Sequence, residues 1–404
     1  MPSLLFRLLA FVGLLCGLSP ALRAATYTLD PATGFGSLPA TLQAGDEIVL
    51  KDGTYLNVIR TLKAAGTEAA PVVMRAENPG RVFFGGGVQF KIQGTWMIIS
   101  GLTFDGDVVA GGPGYPSGIF RFDANSSDCT LRDCRFNNFD AGADPVSGTT
   151  WLYLAGFRHT VEYCSFAQKV APDPLITISP DEDQAFTAGT RAPTQDVPRH
   201  HRIRYCYFGE RTNIGENGYE IVRLAEGKFI NFAMTSTVEH CLFERAIYRA
   251  GSGEPEIISN KSCANIYRHN TFIDCRGGIV LRAGDDCLVE GNFFFAESGS
   301  PLGSGIRVIG QRHIVRNNYL QDVDGTGLNA AICVMKGSGG WSDTTYSSGY
   351  ESANDAKIYH NTLVDCTSPL AIGVTTGDPS KGGTIAPTGV IVANNLIQSS
   401  ANDG

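Results

Sequence analysis

The sequence predicts an all-β protein built as a parallel β-helix, a solenoid with a short N-terminal cap. The 404 residues include 48 glycines, and helix signals are few after the N-terminus, which favours many short strands and turns. A six-residue pattern recurs along the chain, and the fourth positions of consecutive copies lie 22 to 43 residues apart. A period of that length is typical of a solenoid.

The repeated pattern reads apolar, any, any, cysteine or asparagine, any, apolar. Each copy is too short to fold alone, so we expect the copies to stack as coils around one continuous core. In such a stack the inward asparagines can hydrogen-bond from coil to coil. The copies begin at Leu131, Val161, Ile203, Val238, Tyr267, Val289, Val315, Ile358 and Val392, after a degenerate first copy at Ile99.

Cysteine replaces asparagine in four copies, and we expect these cysteines to be small buried residues. They are Cys134, Cys164, Cys206 and Cys241. One or two disulfides are the alternative in an exported protein. The candidates for these are Cys129, Cys263, Cys275, Cys287, Cys333 and Cys366.

Residues 1–24 read as a secretory signal peptide. Arg7 supplies a positive charge, and the apolar run Leu8–Leu18 is too short to span a bilayer. We therefore expect a secreted or periplasmic protein with no membrane span after signal removal. A membrane anchor is a weaker alternative because no other apolar run reaches spanning length. Lipidation at Cys16 is weaker too, because that cysteine lacks a convincing lipobox.

The first strands precede the repeats. Phe35–Leu42 is expected to form a short amphipathic cap, and Gly45–Tyr55 a strand that ends in an Asp-Gly turn. Further strands are expected at Pro71–Ala76 and Val82–Phe84.

The period continues without a linker, so we expect one domain over residues 25–404. Two long gaps between repeats, 173–199 and 324–356, read as loop insertions. The chain stops just after a repeat with no evident cap, and the prediction is a solenoid truncated at Gly404.

Counting from the repeats places a set of polar residues in the same part of four successive coils. Such a row would cover about 15 Å, enough for a few sugar rings, because neighbouring coils lie about 4.8 Å apart. Removing residues 251–253 as an insertion brings Glu256 to the offset of Arg282. The set is Asn217, Glu220 and Arg223, then Glu254, Glu256 and Lys261, then Arg282, then Arg307.

Glu254 and Glu256 lie two residues apart in a predicted strand, so their side chains project to the same side. Adjacent carboxylates repel one another unless a cation or a shared proton relieves them. In a straight strand the side chain of Lys261 would face the side opposite to Glu254 and Glu256. We therefore expect a bend near Ser259-Asn260 to turn it to their side.

Charge agrees with an anionic ligand. The chain carries a net charge of −8, whereas residues 199–316 hold 15 basic and 13 acidic residues. A locally basic patch on an acidic protein suits a polyanion. Randomly solvated charge is the competing interpretation. His200-His201 reads as a surface feature, since no Cys/His cluster has zinc spacing.

The chemistry follows from the residue types. Asn217, Glu254 and Glu256 are oxygen donors, as Ca²⁺ prefers. Bound Ca²⁺ could hold a substrate carboxylate, and Lys261 in its neutral form could remove the proton from the adjacent carbon. Arg282 could then stabilise or protonate the departing oxygen. The expected reaction is β-elimination on a uronic-acid polysaccharide.

The motifs around these residues resemble polysaccharide lyase family six, which contains alginate lyases and the chondroitinase B type. The matching stretches are 217–223, 253–262, 281–284 and 304–310, and Glu-x-Glu-Ile-Ile-Ser-Asn-Lys-Ser is the longest of them. The resemblance runs from about Thr26 to the end. It implies a right-handed parallel β-helix and a Ca²⁺-assisted lyase. It assigns the metal to Asn217, Glu254 and Glu256, the base to Lys261, the acid to Arg282 and substrate binding to Arg223 and Arg307.

Two departures from the family pattern lie near this site. Ala283 stands where the family usually has histidine, and the segment between Asn217 and Glu254 is a few residues longer than usual.

Alginate is the leading substrate, and dermatan sulfate is the alternative within the same chemistry. A β-helix that only binds polyuronate is a third hypothesis. A hydrolase is a fourth, but it leaves Lys261 and Arg282 without a role. We expect no nucleic-acid partner.

Overall fold

The computed structural model describes residues 24–108, 118–139, 150–179, 198–211, 218–225, 229–247, 256–297, 303–338, 349–376 and 383–400. These residues form a right-handed parallel β-helix, as predicted. Its three sheets contain 13, 12 and 12 strands. Neighbouring strands of a sheet come from successive coils. Each full coil passes through sheets I, II and III in turn.

The strands are numbered in chain order. Sheet I contains β1 (Thr26–Leu29), β3 (Glu47–Leu50), β6 (Val72–Ala76), β9 (Met97–Ser100), β12 (Thr130–Arg132), β15 (Thr160–Glu162), β18 (Arg202–Arg204), β21 (Thr237–Glu239), β24 (Ile266–Arg268), β27 (Leu288–Glu290), β30 (Ile314–Arg316), β33 (Lys357–Tyr359) and β36 (Ile391–Ala393). Sheet II contains β4 (Gly53–Leu56), β7 (Val82–Gly85), β10 (Thr103–Asp105), β13 (Arg135–Asn137), β16 (Ser165–Ala167), β19 (Tyr207–Phe208), β22 (Leu242–Glu244), β25 (Thr271–Ile273), β28 (Phe293–Phe295), β31 (Tyr319–Gln321), β34 (Thr362–Val364) and β37 (Leu396–Gln398).

Sheet III contains β2 (Leu42–Gln43), β5 (Ile59–Ala65), β8 (Gln89–Thr95), β11 (Phe120–Ser127), β14 (Leu152–Leu154), β17 (Ile176–Ile178), β20 (Val222–Leu224), β23 (Glu256–Lys261), β26 (Gly278–Ala283), β29 (Ile306–Val308), β32 (Ile332–Met335) and β35 (Leu370–Val374). A 3-10 turn spans Gly327–Asn329. No helix in the described ranges is long and apolar enough to cross a membrane.

The repeated sequence pattern forms the corner between sheets I and II. In the copy that begins at Leu131, β12 ends at Arg132 and β13 begins at Arg135. Asp133 lies between them with a left-handed φ of 54°. Asn, Asp and His are among the residues that tolerate this conformation best. The third position of nearly every copy repeats it, which makes a tight two-residue corner.

The core contains a stack of aromatic rings, from Phe84 on β7 and from the last position of each copy up to the one that ends at Phe294. Rings on successive coils lie 4.4 to 5.2 Å apart between centroids and are nearly parallel. Coil spacing sets this distance, so identical rings are held face over face. The stack contains Phe84, Phe104, Phe136, Phe166, Phe208, Phe243, Phe272 and Phe294.

The predicted asparagine ladder is confirmed. The Asn292 side-chain oxygen accepts hydrogen bonds from the Asn270 backbone N–H and from its side-chain amide, both at 3.0 Å. Asn318 does the same for Asn292. The four column cysteines are buried as expected, and all ten cysteines in the described chain are free. The disulfide alternative is therefore not realised there.

A second buried column contains histidine, contrary to the surface position predicted for His201. The His201 side chain is fully buried and stacks on His159, with ring centroids 5.1 Å apart. Its Nδ1 accepts a hydrogen bond from the His159 backbone N–H at 3.1 Å. Histidine thus satisfies a backbone donor here, as asparagine does in the neighbouring column.

The outer face of sheet I carries a row of alternating charge. Each member pairs in register with a residue of opposite sign on the next coil. Ion pairs of 2.8, 2.6 and 2.6 Å join Glu162 to Arg204, Glu239 to Arg268 and Glu290 to Arg316. The row, called the charge ladder below, contains Arg132, Glu162, Arg204, Glu239, Arg268, Glu290 and Arg316.

The N-terminal cap consists of turns and the short strand β2. Phe35 closes the end of the core, with ring centroids 6.1 Å from Tyr55 and 5.5 Å from Phe90. The bounds predicted for the two insertions are too wide. They include β17 and β32, the sheet III strands of their own coils. Both segments also contain residues outside the described ranges.

Candidate active site

Four adjacent strands of sheet III carry the candidate site. Arg223 on β20 pairs with Ser259 on β23, which pairs with Val280 on β26, which pairs with Arg307 on β29. The predicted alignment of Arg223 and Arg307 on four successive coils is therefore confirmed. Three strand spacings separate these two arginines, about 14 Å.

Strand β23 is irregular, as the predicted bend requires. Its register against β26 shifts twice, between Glu256 and Ile258 and again between Asn260 and Lys261. The first shift lies before the predicted position and the second lies at it. Lys261 then pairs with Ala283 and is partly exposed, whereas its neighbour Asn260 is fully buried.

Asn260 fixes the end of β23, a role that the sequence pattern did not indicate. Its side-chain amide donates hydrogen bonds to the carbonyls of Ser262 and Ala283, both at 2.8 Å. Its side-chain oxygen accepts a hydrogen bond from the Tyr267 hydroxyl at 2.7 Å. These bonds tie the chain beside Lys261 to the chain beside Arg282. Tyr267 is the only tyrosine at the first position of a repeat, which is the one signal that could have indicated this contact.

Arg282 lies between an acid and an aromatic ring. Its Nε is 3.6 Å from Glu256 Oε1, and its Cζ is 4.2 Å from the ring centroid of Tyr350. The expected offset match of Glu256 with Arg282 is wrong, because Glu256 pairs with Gly278. The two side chains nevertheless meet. Tyr350 was not predicted, since it follows Arg282 by 68 positions and belongs to no repeat.

Two buried acidic residues lie at neighbouring positions of adjacent coils. Glu220 and Glu256 each precede the paired residues Val222 and Ile258 by two positions, and the Ile221 N–H donates to the Ile257 carbonyl at 2.9 Å. The two residues are only 8% and 5% exposed. Glu220 Oε2 is buried with no hydrogen-bond partner in the described structure. A buried carboxylate oxygen requires a donor or a cation.

Two of the three predicted metal ligands, Asn217 and Glu254, lie outside the described residues. Among the residues that the structure describes, no group of three His, Cys, Asp or Glu side chains could hold a metal ion. The orphaned oxygen of Glu220 still fits a hard cation, since carboxylate oxygens are the ligands that such cations prefer.

Arg307 differs from the expectation of a substrate-facing residue. It is 2% exposed, and its Nε donates to the Leu328 carbonyl at 3.1 Å. A terminal nitrogen lies 3.4 Å from Asn329 Oδ1. The 3-10 turn therefore covers this guanidinium, whereas Arg223 is partly exposed on β20.

The local excess of basic residues turns out to be a poor indicator of the site. Arg204, Arg268 and Arg316 contribute to the count between residues 199 and 316, but they belong to the charge ladder on sheet I. Arg312 pairs with Asp285 and Asp286.

The fold defines the class of protein as a polysaccharide lyase, because solved lyases share this parallel β-helix. The chain belongs to the Chondroitinase B family, because the sequence model of that family matches residues 38–403. Its solved relatives identify it as polysaccharide lyase family six.

Three solved structures illustrate the similarity. A mannuronic acid specific family 6 lyase from human gut microbiota is 27% identical, with a TM-score of 0.75, covering 94% of this chain and 83% of that one. The PL6 family alginate lyase AlyGC is 26% identical, with a TM-score of 0.78 and 94% of this chain covered. This chain spans only 53% of AlyGC.

The third is the PL6 family polysaccharide lyase Pedsa3628 from Pseudopedobacter saltans, 26% identical with a TM-score of 0.75. The match covers 93% of this chain and 85% of that one. No curated protein matches the chain.

Proposed function

We propose that this protein is an exported alginate lyase that cleaves by Ca²⁺-assisted β-elimination. The observation that carries the proposal is the placement of Lys261 beside Ala283 on adjacent strands, next to an Arg282 that contacts Glu256. The similar structures described as an alginate lyase and a mannuronic acid specific lyase favour alginate over other polyuronates.

Lys261 acts as the base. Its amine removes the proton from the carbon next to the substrate carboxylate. The electron pair of that C–H bond forms a new C=C bond, and the bond from the neighbouring carbon to the glycosidic oxygen breaks. Arg282 hydrogen-bonds the departing oxygen and supplies its proton. A positioned base contributes about 10²- to 10⁴-fold to the rate of such a step.

The residues that would hold Ca²⁺ are Asn217, Glu254 and Glu256. The orphaned oxygen of Glu220 on the coil before Glu256 supports this proposal, because a buried carboxylate oxygen requires a donor or a cation. The chemistry that Ca²⁺ supplies when bound is neutralisation of the substrate carboxylate, which makes the adjacent C–H bond more acidic.

Arg223 would hold the substrate through a second carboxylate, since it is partly exposed on the strand before β23. The same role for Arg307 is proposed only with displacement of the turn Gly327–Asn329 that covers it. Residues 1–24 are proposed as the signal peptide and residues 25–404 as the lyase domain.

Dermatan sulfate is the second candidate substrate, because the matching family model is that of Chondroitinase B. Ala283, where histidine is usual in the family, lies beside the base and is mostly buried. Alanine in place of histidine removes one hydrogen-bond donor from the site, whichever of the two substrates is cleaved.

The deciding experiment is an ultraviolet absorbance assay with poly-mannuronate, poly-guluronate and dermatan sulfate side by side. We expect absorbance from the new C=C bond to rise most with an alginate block. EDTA should suppress the rise and added Ca²⁺ should restore it. New reducing ends without absorbance would indicate hydrolysis, and binding without either would indicate a non-catalytic protein. Indifference to EDTA would remove Ca²⁺ from the mechanism.

A further inference from the structure

We propose that Tyr350 is a positioning residue for Arg282, which it holds through one face of the guanidinium. This inference rests on the proposed function, because it gives Arg282 the role of the acid. Nothing in the repeat pattern or in the resemblance assigns Tyr350 a role.

Tyr350 is rigidly placed. It is 1% exposed and packs in a small apolar cluster, separate from the main core, over strands β29 and β32. This cluster consists of Ile309, Ala330, Cys333, Met335 and Tyr350. Tyr350 is also fixed through its backbone, since the Ser338 N–H donates to the Tyr350 carbonyl at 2.9 Å and the Tyr350 N–H donates to Ser338 Oγ at 3.2 Å.

Arg282 needs such a support. The register of β26 against β23 skips Arg282, so the strand pairing does not fix the direction of this side chain. Its side chain is 26% exposed. An unrestrained arginine side chain samples many rotamers, and that freedom must be lost before it can act on one oxygen atom.

Two contacts on Arg282 are complementary. The Tyr350 ring lies 4.2 Å from Cζ, within range of a cation–π interaction on the face of the guanidinium. Glu256 approaches the Nε edge at 3.6 Å. A contact on the face and a contact on the edge together fix the plane of the Arg282 guanidinium and its rotation within that plane. Its other N–H groups therefore point in one direction.

The contact should matter for the chemical step rather than for substrate binding. Tyr350 is buried, so it is not placed to contact substrate directly. Misaiming Arg282 weakens an interaction that develops only as the glycosidic oxygen departs. An interaction made only in the transition state appears in kcat and leaves KM nearly unchanged.

The test compares Tyr350→Leu with Tyr350→Phe, using the substrate on which the wild-type enzyme is most active. Leucine keeps apolar packing but removes the aromatic face. We expect kcat to fall about tenfold with KM within about twofold, as loss of a desolvated cation–π contact predicts. Phenylalanine keeps the ring and should restore kcat to within about twofold of wild type.

Tyr205→Leu is the matched control. Tyr205 also lies near an arginine, with Arg204 Cζ 5.9 Å from its ring, but it is exposed on the corner between sheets I and II. Its replacement should leave both constants unchanged. Thermal melting of all variants shows whether each is folded.

A second arm asks whether Tyr350 acts through Arg282. In an Arg282→Lys background the compact ammonium cannot stack as a guanidinium does, so adding Tyr350→Leu should change kcat by less than about twofold. Equal kcat for wild type and folded Tyr350→Leu, or a full tenfold effect in the Arg282→Lys background, would overturn the proposal. A wild-type enzyme inactive on every polyuronate would instead overturn the proposed function.

Discussion

Lys261 and Glu256 reach one face of sheet III through backbone irregularity rather than through ideal strand geometry. In a regular strand, Lys261 and Glu256 would face opposite sides. The register shift at Ile257 corrects the parity, and the amide of Asn260 holds the end of the strand against Ala283. The sequence motif identifies these residues, and the shifts explain how they share one face.

Replacing Lys261 with alanine directly tests its role as the base. The side chain is partly exposed, so we expect the fold to be retained while elimination falls about 10²- to 10⁴-fold, the usual contribution of a positioned base. The absorbance assay measures the rate, and circular dichroism measures the fold. Lys357→Ala is the matched control, since this exposed lysine lies on sheet I. Near-normal activity of Lys261→Ala would mean that another group removes the proton.

From the sequence, site residues could be identified only where they lie within a motif. The sequence nominates Glu256, Lys261 and Arg282 because each belongs to the family pattern, and the structure brings Glu256 and Arg282 into contact. Tyr350 and the covering of Arg307 could not be predicted, because both depend on segments that lie outside the repeats and return to sheet III through tertiary packing.

At the scale of the element, the asparagine ladder determines how coils are joined. From Asn292 onward each side-chain oxygen accepts two hydrogen bonds from the coil before, and each amide donates to a carbonyl there, as Asn292 does to Tyr267 at 3.0 Å. In the cysteine copies, Cys241 Sγ lies 3.8 and 3.4 Å from the corresponding carbonyls of Ile203 and Glu239. The thiol replaces the donor but offers no comparable acceptor.

We therefore expect Asn292→Ala to lower the free energy of unfolding by about 3 kcal/mol. The substitution leaves two buried donors of Asn270 without an acceptor, and each orphaned donor costs roughly 1–3 kcal/mol. Chemical denaturation measures the change. Asn78→Ala serves as the control and should change stability by less than about 0.5 kcal/mol, because Asn78 is exposed near the cap. Equal effects of the two substitutions would contradict a structural role for the ladder.

The structure of the repeated coils was the part most predictable from the sequence. The apolar and asparagine positions of each copy predicted the continuous core and the ladder, because both recur in every coil of a stack. The corner between sheets I and II was not predicted. The register between sheet III strands was not predictable, since it depends on bulges such as the one at Arg282.

At the scale of the molecule, the buried histidines make stability depend on pH. Burial lowers the pKa of His159 to about 3 and holds the pKa of His201 well below its usual value. His159 Nδ1 accepts a hydrogen bond from the Cys129 N–H, and protonation there would remove the acceptor. The folded protein therefore keeps both rings neutral.

Acid should consequently destabilise the protein. Between pH 6.5 and about 3 the unfolded state holds more protons than the folded state, so stability is complete above pH 6.5 and falls as the pH is lowered. Each such histidine contributes a slope of about 1.4 kcal/mol per pH unit. Denaturation across this range should show a shallower slope for His159→Asn, whose side chain could still accept from Cys129. The exposed His360→Asn should match wild type, and a wild-type slope in His159→Asn would contradict the assignment.

The charge ladder limits how this solenoid could have grown. Its signs alternate over seven coils, and it ends beside the uncharged residues Ser100 and Tyr359. Duplication or loss of a single coil inside the ladder would bring two like charges into register, which is unfavourable. Changes of two coils preserve the alternation. Within this part of the chain, relatives of different length should therefore differ by even numbers of coils, or else carry a neutral residue at the junction.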